Sequence, residues 1–499
     1  MTTTLAASRA KLLSWLTDSA PSEFQLLSNH GAVTLDAATL RTRIAAAAQQ
    51  LRAAGVSIGD RVVFRGEQGA GAFISFWAAI TVGAVWVPVD PSWPTYLLQR
   101  ALTRVAPRLA LVEADEESVL APLLPVLMLA ETATAEVGLE IAELDDSAPA
   151  ACLFTSGSTG DPKAVVLSRA ALYDSAHRLI PAFDWRAGER LLNLPDPQTM
   201  SGLRNALIAA PLAGMQLYCS PQSGRANVFS LVEEITAARP ARIVAAPLLL
   251  RHLNLLGDRV DNTVWASVRA IYCTGTDLNR NEVQALYRRA GVPVINYYGL
   301  TETVGLCLSQ RLADWAPEDA TLGYPVGCEV RLVDEHGVAV RDGMAGDLQV
   351  LLRHPMSAYF GDPEATAERF DGAWLRTGDI AQRDASGRIV LVGRRSTFLK
   401  TATTEKVQPQ QIEVVLEQHP AVAEAAVCGQ FEPATGADRI CALLVAAEGR
   451  DVPDQVLAQF VAAHLGSGRV PVRYRWVDSI PRNALGKILR TKLGSYFDV

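Results

Sequence analysis

The stretch Leu153-Phe154-Thr155-Ser156-Gly157-Ser158-Thr159-Gly160-Asp161-Pro162-Lys163 gathers hydroxyls, glycines and one cation in a single loop. The hydroxyls of Thr155, Ser156, Ser158 and Thr159, backbone N–H groups around Gly157 and Gly160, and the Lys163 ammonium can together wrap a polyphosphate. A polar hairpin turn has the same composition, so both readings stand at this point. No G-x-x-x-x-G-K-[ST] occurs here or around Gly486-Lys487, and no G-x-G-x-x-G occurs anywhere in the chain. The stretch therefore demands a phosphate cradle of a third kind.

Outward from this loop, short β-rich runs at 61–64, 86–89 and 109–113 alternate with Ala/Leu-rich stretches of helical spacing. Such alternation predicts βαβ units and parallel sheets. Leu40, Ile44, Ala47, Ala48 and Leu51 form one helical stripe, which ends at Gly55 before Gly59-Asp60 opens a strand; 73–80 repeats the arrangement. Residues 346–352 and 387–392 read instead as strands separated by turns, a β-rich subdomain. Beyond it, Pro409 opens a helix with Ile412, Val415, Leu416 and His419 on one face, and Pro420 is expected to stop it. Strands at 422–428 and 440–446 follow, then a helix with Pro453 in its first turn and Val456, Leu457, Phe460 and Val461 apolar. The expected fold class is α/β: a large N-terminal domain of stacked βαβ-type sheets with a β-rich subdomain, plus a small C-terminal α+β domain.

Composition limits what such a chain does. With 499 residues, 49% hydrophobic and 20% charged, it is long enough for two or more packed units and too apolar for disorder. Its 46 Lys+Arg against 53 Asp+Glu leave a net charge of −7, which is no footprint for a nucleic acid. The seven cysteines are scattered without a C-x-x-C pair, the usage of a reducing compartment. Arg9 and Lys11 interrupt the only candidate leader, and the apolar run 120–130 is broken by Pro122 and Pro125, so no secretory signal and no membrane span are expected and a cytoplasmic location is. The seven histidines show no H-E-x-x-H and no Cys/His ligand spacing, and there is no G-x-S-x-G elbow. Zinc chemistry and serine-hydrolase chemistry have no support.

Thr155-Ser-Gly-Ser-Thr-Gly-x-Pro-Lys163 resembles the phosphate loop of the adenylate-forming superfamily, which holds acyl-CoA synthetases, adenylation domains and beetle luciferases. Further segments follow in the order of that family: Asn296-Tyr-Tyr-Gly-Leu-Thr-Glu302, Trp374-Leu-Arg-Thr-Gly-Asp379, Gly393-Arg394 running on to Pro409-x-x-Ile412-Glu413, and Pro481-Arg-Asn-x-x-Gly486-Lys487. Weaker echoes at Gly55-Val-x-x-Gly59-Asp60 and Val87-Pro-Val-Asp90-Pro extend the resemblance over roughly residues 35 to 490. It implies a large ATP- and carboxylate-binding domain over 1–395 and a small mobile domain over 396–499, with ATP and Mg²⁺ at their junction. The implied roles also make chemical sense. The Tyr298 ring stacks on adenine, Gly299 lets the backbone approach the nucleotide, Thr301 donates to the α-phosphate, and Glu302 offers Mg²⁺ a hard oxygen. Asp379 accepts from the ribose hydroxyls with Arg394 as a second contact, and Lys487 brings an ammonium to the phosphoryl transition state.

The chain departs from the family at two places. In Gly393-Arg-Arg-Ser-Thr-Phe-Leu-Lys-Thr-Ala-Thr-Thr-Glu-Lys-Val-Gln-Pro409 the hinge position reads Ser396, and the loop that ordinarily carries Gly holds Thr403-Thr404 with one extra residue. That loop borders the pantetheine tunnel of thioester-forming relatives. In Leu194-Pro-Asp-Pro-Gln-Thr-Met-Ser-Gly-Leu-Arg-Asn205, Ser201 falls where amino-acid-activating relatives place an Asp, Asp196 is the alternative clamp, and the His that CoA ligases often carry near Gln198 or Thr199 is absent. Gly275 joins Gln198, Ser201 and Arg204 as the expected substrate residues. Arg204 either faces a second carboxylate on the substrate or, the commoner fate of such a residue, is an exposed helix Arg. The implied reaction is ATP-dependent activation of a small carboxylic acid as acyl-adenylate with pyrophosphate release. Transfer to the thiol of CoA or of a phosphopantetheine-bearing acyl or peptidyl carrier follows, with the carrier acting in trans because no carrier motif follows Lys487. A luciferase-like oxygenase and a non-catalytic nucleotide-binding relative are the alternatives.

Overall fold

A computed structural model describes residues 12–16, 24–28, 34–113, 116–129, 138–155, 162–219, 228–275, 278–394, 399–400, 406–432, 437–447, 452–482 and 488–497. By compactness the chain forms two units, one of residues 1–329 with 350–375, the other of 330–349 with 376–499. The expected boundary at 395/396 falls within the second unit.

The first unit is built as the hydrophobic pattern dictates. Asp36 Oδ1 accepts from the Thr39 N–H at 2.8 Å and so caps helix Ala37–Ala53, whose stripe Leu40, Ile44, Ala47, Ala48 and Leu51 is buried. Helix Ala70–Val82 is apolar all round and buried from Gly71 to Val82, and Gly83 ends it in the left-handed conformation at φ 83°. The first helix leads into strand Arg61–Arg65, and Ala70–Val82 and a further helix, Thr95–Val105, separate it from Val85–Val89 and Leu109–Val112; the three parallel strands lie side by side in one seven-stranded sheet. Their burial on both faces explains why they read as apolar runs without alternation. A nine-stranded sheet supplies the second layer; its parallel core orders Val294–Tyr298, Ala270–Cys273, Arg242–Ala245, Arg190–Asn193 and Gln216–Cys219.

In the second unit, strands Val422–Glu432 and Ala437–Ala446 pair antiparallel, and Arg473–Trp476 joins the latter in parallel. The period of two sends Ala425, Val427, Ala442 and Leu444 toward helices Pro409–Leu416 and Asp454–Leu465, and Ala426, Cys428, Cys441 and Leu443 to the opposite face with Ile480, Leu493 and Phe497. Two expectations need correction. The first helix stops at Leu416, so His419 lies past its end and not on its apolar face, and the Nδ1 of His419 accepts from the Ala421 N–H at 3.2 Å; Pro420, which cannot continue a helix, follows. Val456 is exposed and only Leu457 and Val461 of the second helix are fully buried, a narrower stripe than the apolar run suggested. No helix among the described residues is long and apolar enough to cross a membrane. The seven cysteines are free thiols, and all but Cys328 are buried.

Candidate active site

The quoted loop joins two antiparallel strands, Pro149–Thr155 and Lys163–Ser168, with Thr155 directly opposite Lys163. The hairpin reading and the cradle reading are thus compatible. Ser156, Gly157, Ser158, Thr159 and Gly160 lie outside the described residues, as do Lys487, Ser396, Thr403 and Thr404. Thr155 and Lys163 are half-buried at the base of the loop.

Strand Ala358–Tyr359 lies against Lys163–Ser168, and this pairing brings remote residues together. The Lys163 Nζ sits 4.8 Å from the centroid of the Tyr359 ring. The Tyr359 hydroxyl donates to Glu302 Oε1 at 2.6 Å, and Arg369 Nη2 approaches the same oxygen at 3.4 Å. Glu302 is only 8% exposed, and these partners replace the water it lacks. Burial and the adjacent Glu302 carboxylate push the Tyr359 phenol well above its ordinary range, which keeps it a donor. A nearly buried carboxylate with hydroxyl neighbours is a donor set suited to a hard divalent cation such as Mg²⁺, with the Thr301 hydroxyl next to it in sequence. Among the described residues no cluster of three or more His, Cys, Asp and Glu forms a cage of its own, so ATP phosphate oxygens would have to complete the shell.

Thr301 and Glu302 ride on a tightly held loop after strand Val294–Tyr298. Gly299 has no room for a side chain, since a Cβ there would fall 1.2 Å from the Gly305 carbonyl oxygen. The close approach it permits is thus to the chain's own backbone. Val304 takes φ 56°, an unfavourable conformation for a β-branched residue. Helix Arg169–Ala182 holds it there: the Ser175 hydroxyl donates to the Val304 carbonyl, and Arg178 donates to the carbonyls of Leu306 at 2.9 Å and Thr303 at 3.0 Å. Tyr298 is buried at the strand end, and Gly275 follows strand Ala270–Cys273 at φ 102° with open space where a Cβ would stand.

The substrate segment gives a second correction. Arg204 is completely buried, not exposed, on the π-helical turn Gly202–Ala209. Its guanidinium stands 5.8 Å from the Tyr297 ring, while the Ser201 and Tyr297 hydroxyls bond to each other at 3.0 Å. The Gln198 Oε1 is buried without a hydrogen-bond partner among the described residues. Gly202 packs on the Asp196 carbonyl, where a Cβ would come within 1.9 Å.

In the second unit, Asp379 and Arg394 are opposite each other on paired strands Trp374–Arg383 and Ile389–Arg394, and Arg394 Nε lies 2.8 Å from Asp379 Oδ1. The Thr377 hydroxyl accepts from the Asp379 N–H at 3.0 Å, fixing the backbone of a carboxylate that is 1% exposed. Gln408 Nε2 donates to the Arg394 carbonyl at 2.9 Å across Gly393, whose missing Cβ makes room. At the foot of the Lys487 loop, Arg482 pairs with Ile488 in a bridge and the Leu489 N–H donates to the Pro481 carbonyl at 2.9 Å. Arg490 grips Glu413 through both guanidinium arms, at 2.6 and 2.9 Å.

Tyr359, Arg369, Ser175 and Arg178 were not singled out in the sequence. Only Ser175 and Arg178 carried a signal, an i,i+3 pair of polar residues on the inner side of an otherwise apolar helical face. Tyr359→Phe is expected to leave folding intact and raise the Mg²⁺ concentration needed for half-maximal activity by about tenfold, the scale for removing a hydrogen bond to a metal-ligating carboxylate. An Mg²⁺ titration of pyrophosphate exchange with unchanged midpoint would remove Tyr359 from this role.

A family model described as AMP-binding enzyme matches residues 20–360, and one described as AMP-binding enzyme C-terminal domain matches residues 411–487. The chain is 28% identical over 343 residues to the indoleacetate–CoA ligase of Aromatoleum aromaticum, spanning 68% of this chain and 66% of that one. It is 27% identical to the fatty acid–[acyl-carrier-protein] ligase ScoC of Streptomyces coeruleorubidus, covering 90% of this chain and 89% of the relative. Among solved structures, the amide bond synthetase McbA from Marinactinospora thermotolerans superimposes with a TM-score of 0.87 at 25% identity, over 98% of this chain and 99% of that one.

Proposed function

This chain belongs to the AMP-binding enzyme family, and on that premise we propose that it activates a small carboxylic acid with ATP and passes the acyl group to a thiol. In the first step a carboxylate oxygen attacks the α-phosphorus, the bond to the β-phosphate oxygen breaks, and pyrophosphate leaves. Two anions meet in that step, so its catalysis is positioning and charge neutralisation. The loop from Thr155 through Ser156, Gly157, Ser158, Thr159 and Gly160 to Lys163 cradles the phosphates, Thr301 donates to the α-phosphate, and Tyr298 with Gly299 borders the base. Asp379 and Arg394 hold the ribose, so Arg394 gives up part of its contact with Asp379 when the sugar hydroxyls arrive. Glu302 would hold Mg²⁺, which when bound supplies positive charge to the phosphates. In the second step a thiolate of CoA or of a carrier's phosphopantetheine attacks the acyl carbon and AMP leaves.

The observation that carries this reading is the convergence on Tyr359 of Lys163, from the phosphate loop, and Glu302, from a distant loop. The seven free thiols favour a reducing compartment, and we place the protein in the cytoplasm on that ground. ATP/pyrophosphate exchange over a panel of aryl, fatty, dicarboxylic and amino acids tests the first step; adding CoA, a phosphopantetheinylated carrier protein or an amine separates the acceptors. α-Amino acids are expected to be the poorest of the panel, because the Ser201 hydroxyl, already engaged by Tyr297, offers an ammonium no charge. Exchange with none of the acids defeats acid activation. Oxygen uptake dependent on an adenylated acid would favour the luciferase-like alternative.

A further inference from the structure

We infer that Arg204 reads a second anionic group, a carboxylate at the far end of the acid substrate, so that the preferred substrates are dicarboxylic acids. This rests on the acid-activation reading above and names the substrate class of that site.

Arg204 is 0% exposed, and burial pushes its guanidinium down to about 10, which leaves it charged at neutral pH. Buried cations in proteins are paired, because an isolated charge away from water is too costly. Here Nε donates to the Asn205 Oδ1 at 2.9 Å and the Tyr297 hydroxyl stands beside the guanidinium as a neutral acceptor, while Nη1 and Nη2 have no carboxylate within ion-pair range among the described residues. Its neighbour Arg178 shows the contrast: all three of its nitrogens donate, to Leu306, Thr303 and Asp174. The free edge of Arg204 is therefore a planar fork suited to a carboxylate and lacking one.

Its location connects that fork to the chemistry. Nη1 lies against Gly305, where a Cβ would approach within 2.2 Å, and Gly305 belongs to the loop that carries Thr301 and Glu302. The π-helical turn Gly202–Ala209 displaces the backbone from regular α-geometry at Arg204 itself, a distortion that recurs at binding sites. One carboxylate of the substrate would be activated beside Thr301 while the other meets Arg204 beneath the same loop.

The test compares matched acids, glutarate against pentanoate and terephthalate against benzoate, in pyrophosphate exchange with wild type, Arg204→Lys and Arg204→Gln. Wild type is expected to favour one or both diacids, and Arg204→Gln to lower the diacid-to-monoacid ratio of kcat/KM by about 10- to 100-fold. Arg204→Lys, which keeps the charge without the fork, should fall between. Glutarate or terephthalate should also raise the melting temperature of wild type and not that of Arg204→Gln. Monoacids preferred by wild type, or a loss in Arg204→Gln equal for both members of a pair, overturns the role of Arg204 and leaves acid activation standing. Exchange with no acid at all overturns acid activation itself. Should Arg204→Gln fail to fold, the wild-type preference and the Arg204→Lys ratio still decide.

Discussion

Lys487→Ala lowers acyl-adenylate formation by about 10²–10³, the scale of losing one preorganised charge-stabilising donor. Negative charge builds on the phosphoryl oxygens as the carboxylate attacks, and the proposed role of the Lys487 ammonium is to offset it. Both flanks of Lys487 are clamped, by Arg482 on Glu424 at 2.8 Å and by Arg490 on Glu413 at 2.6 Å. Folding is expected to be unaffected, because these clamps and the packing of Ile480 and Leu493 hold the chain on either side of that position. Thioester formation from chemically supplied acyl-adenylate should survive, since the phosphoryl charge already exists in that compound and AMP is only the leaving group. Single-turnover measurement of the two steps checks this. Equal depression of both, or of neither, removes Lys487 from the adenylation transition state.

Glu302→Gln lowers pyrophosphate exchange by roughly 10² at limiting Mg²⁺, because an amide oxygen is a far weaker ligand for a hard cation than a carboxylate. The substitution is isosteric, and the amide oxygen still accepts from the Tyr359 hydroxyl, so the melting temperature should change little. What is lost is the anion that offsets Lys163 and Arg369 in a nearly buried setting. Raising Mg²⁺ should recover part of the rate, which distinguishes weakened metal use from a misplaced loop. A Mg²⁺ titration superimposable on that of wild type would take Glu302 out of the site.

On the proposed reaction the two variants remove opposite charges, a carboxylate in one case and an ammonium in the other. Arg204 adds a third charge. Arg178 spends its charge on backbone carbonyls and thereby holds the strained Val304 in place. This explains how a loop with an unfavourable φ persists: the surrounding bonds over-determine it.

Local pattern by itself determined the alternation of parallel strands and helices, because burial on both sheet faces writes an uninterrupted apolar run and a helix writes a stripe. The family was legible for a similar reason: the stretches Thr155–Lys163, Tyr298–Glu302 and Trp374–Asp379 are short contiguous segments whose residue types state the chemistry proposed for them. Tertiary structure alone decided the rest. Tyr359 and Arg369 belong to no motif of their own; strand pairing brings Tyr359 beside Lys163 and Glu302, and the end of helix Pro363–Glu368 brings Arg369 to Glu302. Arg204 reads in sequence as a solvated helix residue, since composition favours an exposed arginine on a helix. Packing against Tyr297 and Gly305 reverses that, because burial is a property of the neighbours an element acquires and not of the residue that is buried.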